Sequence, residues 1–166
     1  MSVTATYLKL KSQKNGELRG IVRQRGVEGS IPIIAVHHEI NSPKDMATGM
    51  SSGKRQHQPI VITKEVDNVT PILYQILVTN DLITEASLLF YGPDPSSMLS
   101  SSPESNIYTI TFRKATIGRI ELSLFDLMQK EKRTPNPVEY VSFFYDQIEW
   151  KWINGDISYV DNWVSK

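Results

Sequence analysis

Three histidines and a glutamate are the residues best equipped for chemistry in this chain. His37 and His38 are adjacent, Glu39 follows them, and His57 lies further on. Imidazoles with a carboxylate form a zinc donor set, and the same types could serve a hydrolase as base and acid. Their spacing argues against one shared ion. Neighbouring residues on a strand point to opposite faces, so His37 and His38 diverge unless the strand bulges. The plainer expectation places one histidine at an interface or other exposed face and the other partly inside.

Lys64 is the second candidate. It interrupts the parity of Ile60, Ile62 and Val66. A lysine on an apolar face is a possible nucleophile. The structural alternative puts it at the strand end, paired with Glu65 or Asp67 or reaching along a subunit edge. An aromatic group forms the third: Trp150, Trp152 and Trp163 with Tyr140, Phe143, Phe144 and Tyr145. Such rings could stack on sugars or bases, but no basic stripe accompanies them, and core plus subunit interface is the expected use. The Lys130-Glu-Lys-Arg133 run reads as a solvated face. No nucleophile elbow, phosphate loop or zinc helix motif occurs. The expectation is a non-enzymatic chain with no cofactor and no metal.

Bulk properties narrow the classes further. The chain has 166 residues, 40% hydrophobic and 22% charged, enough for one buried core and short for two. Lysine plus arginine equals aspartate plus glutamate at 18 each, so no basic excess points to nucleic acid. Cysteine is absent, which removes disulfides and thiolate chemistry. The N-terminal region carries Lys9, Lys11 and Lys14 without the apolar run of a secretory signal. No apolar stretch is long enough to span a bilayer, so no membrane insertion is expected.

The elements that must position these residues are mostly strands. Thr6, Leu8 and Leu10 alternate with Tyr7, Lys9 and Lys11. Residues 30–40 are rich in β-branched types, and 83–91 read as a strand. Tyr108, Ile110 and Phe112 alternate with Thr109, Thr111 and Arg113; Ile120, Leu122 and Leu124 do so with Arg119, Glu121 and Ser123. Residues 137–153 read as one long strand whose parity slips near Asp146, as a bulge would cause. One helix is expected, with Thr70 as N-cap, Pro71 at N1, and Ile72, Leu73, Ile76 and Leu77 on its inner side. Segments 41–58, 92–105 (serine-rich) and 126–137 read as loops. Mainly antiparallel strands with one helix predict a β-barrel or two-sheet sandwich in a single domain.

Four blocks carry a resemblance to a known family. They are Ala5-Thr-Tyr-Leu-Lys-Leu10 with Gly16 and Gly20, and Arg25-Gly-Val-Glu-Gly-Ser-Ile31 leading into Val36-His-His-Glu-Ile40. The third is Gly53-Lys-Arg-Gln-His-Gln-Pro-Ile-Val-Ile-Thr-Lys-Glu-Val-Asp67, running on to Thr70-Pro71. The fourth is Tyr145-Asp-Gln-Ile-Glu-Trp-Lys-Trp152, then Gly155 and Asp161-Asn-Trp163. The chain resembles the Hcp family, the haemolysin-coregulated tube proteins of type VI secretion; the match weakens between Gly92 and Val138. The resemblance implies a phage tail-tube-like barrel of two antiparallel sheets with one helix, spanning 1–166 without a C-terminal effector extension. It implies a structural subunit that forms homohexameric rings and stacks into a tube. That tube would be assembled in the bacterial cytoplasm inside a contractile sheath and exported without a signal peptide. Its partners would be itself, the spike protein at the tip, the sheath, and effector proteins in the lumen.

Within that frame the long 41–58 segment is the candidate for contact between rings. Lys54, Arg55, His57, Lys64, Glu65 and Asp67 are the candidate interface residues. A monomeric β-barrel binding a small ligand or glycan, and a hydrolase or metalloenzyme built on His37, Glu39 and His57, are the rival expectations.

Overall fold

Alternation of large apolar inward groups builds a barrel whose wall is one continuous path of antiparallel strands. The computed structural model describes residues 2–94, 104–124 and 136–163. The N-terminal strand β1 (Ala5–Ser12) carries Leu8 and Leu10 inward and Lys9 and Lys11 outward. It takes the short β2 (Gly16–Glu17) and β3 (Ile31–Ile33) on one edge and β8 (Ile83–Pro93) on the other. From β3 the chain passes into β4 (Ala35–His37), which pairs with β7 (Ile60–Glu65). Between them lie β5 (Ile40–Asn41) and β6 (Gln56–His57), which pair only with each other.

The two expected strands around Tyr108 and Ile120 are one element, β9 (Glu104–Ser123), 20 residues long. Its first half pairs with β8 and with β11 (Gln147–Trp152), and its second half with β10 (Val138–Phe144). β10 in turn pairs with β7, so β9 carries the chain from one sheet into the other. The segment β3–β4 makes the reverse crossing, sealed by Ile34 N–H donating to Thr63 C=O at 2.8 Å. The circuit β1–β8–β9–β10–β7–β4/β3 therefore closes. β11 and the last strand β12 (Ile157–Asn162) extend one sheet beyond it.

The bend in β9 has a local cause. Lys114 adopts φ +51°, and the ladder to β10 skips Gly118 between Arg119↔Ser142 and Ile117↔Phe143. A Cβ at Gly118 would lie 2.2 Å from the Phe144 ring, so only glycine lets that ring lie across the bulge. The parity slip expected near Asp146 is a full break: β10 and β11 leave in different sheets. Leu122 and Leu124 are more than half exposed, against expectation. The alternation rule alone does not predict β12.

The helix α1 (Thr70–Thr79) closes the barrel, burying Leu73 and Ile76 against β9. Thr70 is its first residue and not the cap. Asp67 Oδ1 accepts from Val69 N–H at 3.0 Å, while Thr70 Oγ1 accepts from Asp67 N–H at 3.1 Å. The N-cap position is Val69, one residue before the expected Thr70, and it makes no side-chain cap bond; the Asp67–Thr70 pair braces the turn leading into the helix, with Pro71 still in the first turn. At the far end Asn80 is left-handed, and Asp81 N–H donates to Ile76 C=O at 2.9 Å.

Gly20 packs where no side chain fits. Its Cβ position is 2.3 Å from the Ser30 carbonyl oxygen, and its N–H donates to Gly29 C=O at 2.8 Å. Gly20→Ala is expected to destabilise by about 1–3 kcal/mol, since backbone must move to admit the methyl group. Thermal unfolding measures this, and an unchanged midpoint would refute the close approach.

The 41–58 segment is a β-hairpin arm. The β5–β6 ladder continues through Ser52 N–H to Pro43 C=O at 3.0 Å and a Lys44↔Ser51 bridge to a turn at Asp45. Local pairing of backbone groups replaces the expected patternless loop. The serine-rich stretch, apart from its strand-bound ends, and the Lys130–Arg133 run lie outside the described residues.

Candidate functional site

The arm makes no ladder with the barrel, so side chains must set its direction. Arg55 does this from the arm's root. Its Nε and Nη2 donate to Asp161 Oδ2 and Oδ1 at 2.6 and 2.5 Å, and Nη2 also reaches Asn162 C=O at 3.1 Å. A two-pronged guanidinium–carboxylate pair fixes orientation as well as distance. The Arg55 hydrogen bond, followed by that of His57, holds the Asp161 carboxyl below its ordinary range.

His57 continues the connection inward. Its Nε2 faces Asp161 Oδ2 at 2.9 Å and its Nδ1 faces the Tyr145 hydroxyl at 2.8 Å. His38 Nε2 meets the same hydroxyl at 2.7 Å. The Tyr145 hydroxyl therefore lies between the two imidazoles, and the Asp161 carboxylate accepts from His57 Nε2–H. Trp163 stacks on His57 at 5.4 Å and donates Nε1–H to Tyr145 C=O at 2.6 Å. Trp150 lies 6.3 Å from His38, near parallel. Burial pushes the Tyr145 hydroxyl well above its usual range. Thus His38 and His57 converge on a phenol hydroxyl. Among the described residues no group of three or more histidines and carboxylates is placed to hold a metal.

Burial lowers His38 from its ordinary 6.5 to about 4, with His57 and His37 adding repulsion. The unfolded chain then binds more protons than the folded one between these values. Stability from this group is complete above pH 6.5 and declines as pH falls towards 4. Asp161 adds its own loss only below its ordinary 3.8. The unfolding midpoint is expected to drop across that window, and His38→Gln to flatten the drop. Equal slopes for parent and variant would refute the assignment.

Lys64 is inside the barrel, 0% exposed, on the face shared with Ile60 and Ile62. Val66, expected there, is 39% exposed. The ammonium donates to Asp67 Oδ1 at 2.8 Å, Glu139 Oε1 at 2.8 Å and Glu65 C=O at 2.6 Å. Thr70 Oγ1 donates to Glu139 Oε1 at 2.8 Å, tying the cluster to α1. Asp67 therefore joins the turn before the helix to the buried charge. A lysine fully enclosed by acceptors is a structural tie, without the free approach a nucleophile needs.

Within one subunit the six candidate interface residues divide. His57, Lys64 and Asp67 are internal to the subunit. Arg55 points at its own Asp161. Lys54 is exposed on the arm, and Glu65 is exposed while accepting from Asn136 Nδ2 at 3.0 Å. Tyr145, Asp161 and Glu139 are the partners that sequence reasoning missed. Glu139 was legible: it shares the inward parity of Val141 and Phe143, and a buried lysine needs an inward carboxylate on a neighbouring strand.

The remaining surface offers small clefts and exposed apolar edges. Clefts of about 240–280 Å³ open between Lys9 and Glu85, beside Ile34 and Val66, and beside Arg19 and Glu28. These are below the usual range for ligand sites, roughly 300–1,000 Å³. By contrast, among the described residues β12 is an edge strand paired with β11 alone. Its Ile157 and Tyr159 are each 68% exposed and Val160 is 41% exposed.

The sequence pattern described as "Type VI secretion system effector, Hcp" matches residues 7–152. The chain belongs to the Hcp family of type VI secretion. A curated Hcp relative, the "Major exported protein" of Pseudomonas aeruginosa, is 25% identical, covering 98% of this chain and 96% of that protein. The solved Hcp1 of the E. coli EAEC 042 pathovar, a double-tryptophan mutant, is 26% identical with a TM-score of 0.80. That alignment spans 96% of this chain and 98% of the other. A structure described as Hcp protein shares the fold at a TM-score of 0.83, 20% identity, and 98% and 99% coverage. The Hcp fold predicted from the four blocks is thus the fold of this chain, and its relationship to an exported protein is in line with secretion.

Proposed function

We propose that this Hcp chain is the structural subunit of a type VI inner tube. Homohexameric rings stack into a tube within the contractile sheath, assembled in the cytoplasm and fired outward beneath a spike protein. Effector proteins travel in the lumen. The role is mechanical and needs no catalytic residue.

The observation that carries this reading is the free edge of β12. A soluble monomer usually blunts such an edge with lysine, proline or a covering loop. β12 has no lysine or proline within it; Arg55 of the arm meets its far end at Asp161 and the Asn162 carbonyl, and the strand exposes Ile157, Tyr159 and Val160. An unpaired, apolar strand edge is favourable only when a second chain lies against it. A head-to-tail contact between this edge and a different patch on the neighbour generates a ring when the rotation closes. The arm, aimed by the Arg55–Asp161 pair, supplies the contact along the tube axis. Neutral net charge lowers the repulsion between copies.

The test is the mass in solution by size-exclusion chromatography with light scattering, followed by negative-stain microscopy. Six times the 18.9 kDa subunit mass, with rings in the images, is the expected result. A monomer at every concentration examined would overturn the self-assembly claim.

A further inference from the structure

The tip of the arm exposes two large apolar side chains to water. Met46 is 100% exposed and Met50 is 70% exposed. They flank a turn that is internally braced. The Asp45 carboxylate accepts from Ala47 N–H at 2.9 Å, Thr48 N–H at 2.8 Å and the Thr48 hydroxyl at 3.1 Å. Gly49 N–H donates to Asp45 C=O, and Asp45 N–H to Met50 C=O, each at 2.8 Å. A turn braced this way presents its methionines outward instead of folding them onto the barrel. Lys44 and Lys54 lie on the same arm.

The barrel offers a receptor of matching chemistry. The cleft of about 270 Å³ is lined by Ile21, Pro32, Ile34 and Val66, with Glu65 beside them. Its apolar floor suits a thioether, and its acidic side suits the lysines of the arm. A second copy of this chain, whose arm carries both apolar and basic side chains, is the occupant taken here. With no cysteine present, methionine thioethers are the sulfur open to two-electron oxidation.

We propose that Met46 and Met50 are a peroxide-modifiable site whose conversion to sulfoxides releases the arm from the next subunit along the tube. The inference rests on the axial contact proposed above. A lone pair on Sδ attacks one oxygen of hydrogen peroxide. The S–O bond forms as the O–O bond breaks, and the departing hydroxide takes up the remaining proton as water. Sulfur loses two electrons and the peroxide gains them. A thioether is soft and apolar and adapts to irregular pockets; a sulfoxide is polar and resists burial without a donor. Reductases reverse the change where they are present. Oxidation after export would therefore bar used subunits from stacking again.

The experiment treats purified, assembled protein with hydrogen peroxide. Peptide mass spectrometry reads one added oxygen at Met46 and at Met50, light scattering reads the ring, and sedimentation with microscopy reads stack length. Rings are expected to persist while stacks are lost. The ring-to-ring association constant should fall by about tenfold or more for each methionine taken out of a buried contact. Met46→Leu with Met50→Leu should stack and resist peroxide, and Met46→Gln with Met50→Gln should fail to stack without any oxidant. Stacks that survive complete sulfoxidation, or a leucine variant as sensitive as the parent, would overturn the proposal while leaving the tube reading intact. Untreated protein that never stacks would overturn the axial contact and the proposal with it.

Discussion

Lys64→Met is expected to lower the unfolding free energy by about 3–5 kcal/mol, among the larger losses available to a single substitution here. The methionine would fill the space of the lysine stem, so the loss is electrostatic. Two carboxylates, Asp67 and Glu139, would be left inside without their cation. Glu139 Oε2 and Asp67 Oδ2 already find no hydrogen-bond partner among the described residues, so nothing nearby can take over. Urea unfolding at a fixed protein concentration measures the effect. Lys64→Met combined with Glu139→Leu and Asp67→Asn should recover most of the loss. Apolar replacement of a whole buried ionic group is often neutral, and asparagine keeps an oxygen for the turn before the helix. A single variant within 1 kcal/mol of the parent would mean that water reaches the cluster (roughly the value of an exposed pair).

Ile157→Lys with Val160→Lys is expected to abolish ring formation while leaving the subunit folded. The two residues cover both faces of the β12 edge and are 68% and 41% exposed. In an isolated subunit, such surface changes usually fall within about 0.5 kcal/mol. Within a ring each removes a buried apolar side chain, about 1.5–3 kcal/mol per contact, and adds a charge that must be desolvated. Closure repeats that loss at every contact, so the ring should fall apart to monomers. Light scattering gives the mass and thermal unfolding checks the fold. A variant that still forms rings would move the subunit contact away from β12.

Much of the barrel was legible because strand periodicity is a local signal. Leu8 and Leu10, Ile60 and Ile62, and Val141 and Phe143 each show their inward face at every second position. Thr70-Pro71 placed the helix start within one residue; the N-cap position is Val69, an apolar residue that no capping preference singles out in a string of residues. Ile120, Leu122 and Leu124 show the limit of that signal. Alternation states which residues share a face but not whether that face is buried, and Leu122 and Leu124 are exposed. β12 was missed for a related reason: its Ile157, Tyr159 and Asp161 alternate, but no core tells the faces apart. The arm was taken for a loop because its ladder is satisfied by backbone groups, which leave little mark on side-chain pattern.

The candidate site was less legible than the fold. Arg55 was singled out for its charge, yet its partner Asp161 lies 106 positions away. Lys64 was expected to pair with a nearby carboxylate and does so with Asp67, but its second partner Glu139 is 75 positions away. Charge type can be read from sequence; the return of the chain that brings two charges together cannot.

By itself, the sequence determined a mainly β chain with one helix opening near Thr70, no thiol chemistry, and membership of the Hcp family through blocks of residues in order. Only the tertiary structure decided that β9 crosses between two sheets and that Lys64 is enclosed. It also decided that His38 and His57 meet on Tyr145 and that the arm is aimed by Asp161. The physical reason is range. Propensity, capping and alternation act over a few residues, whereas burial and ion pairing depend on which distant strands the barrel brings side by side.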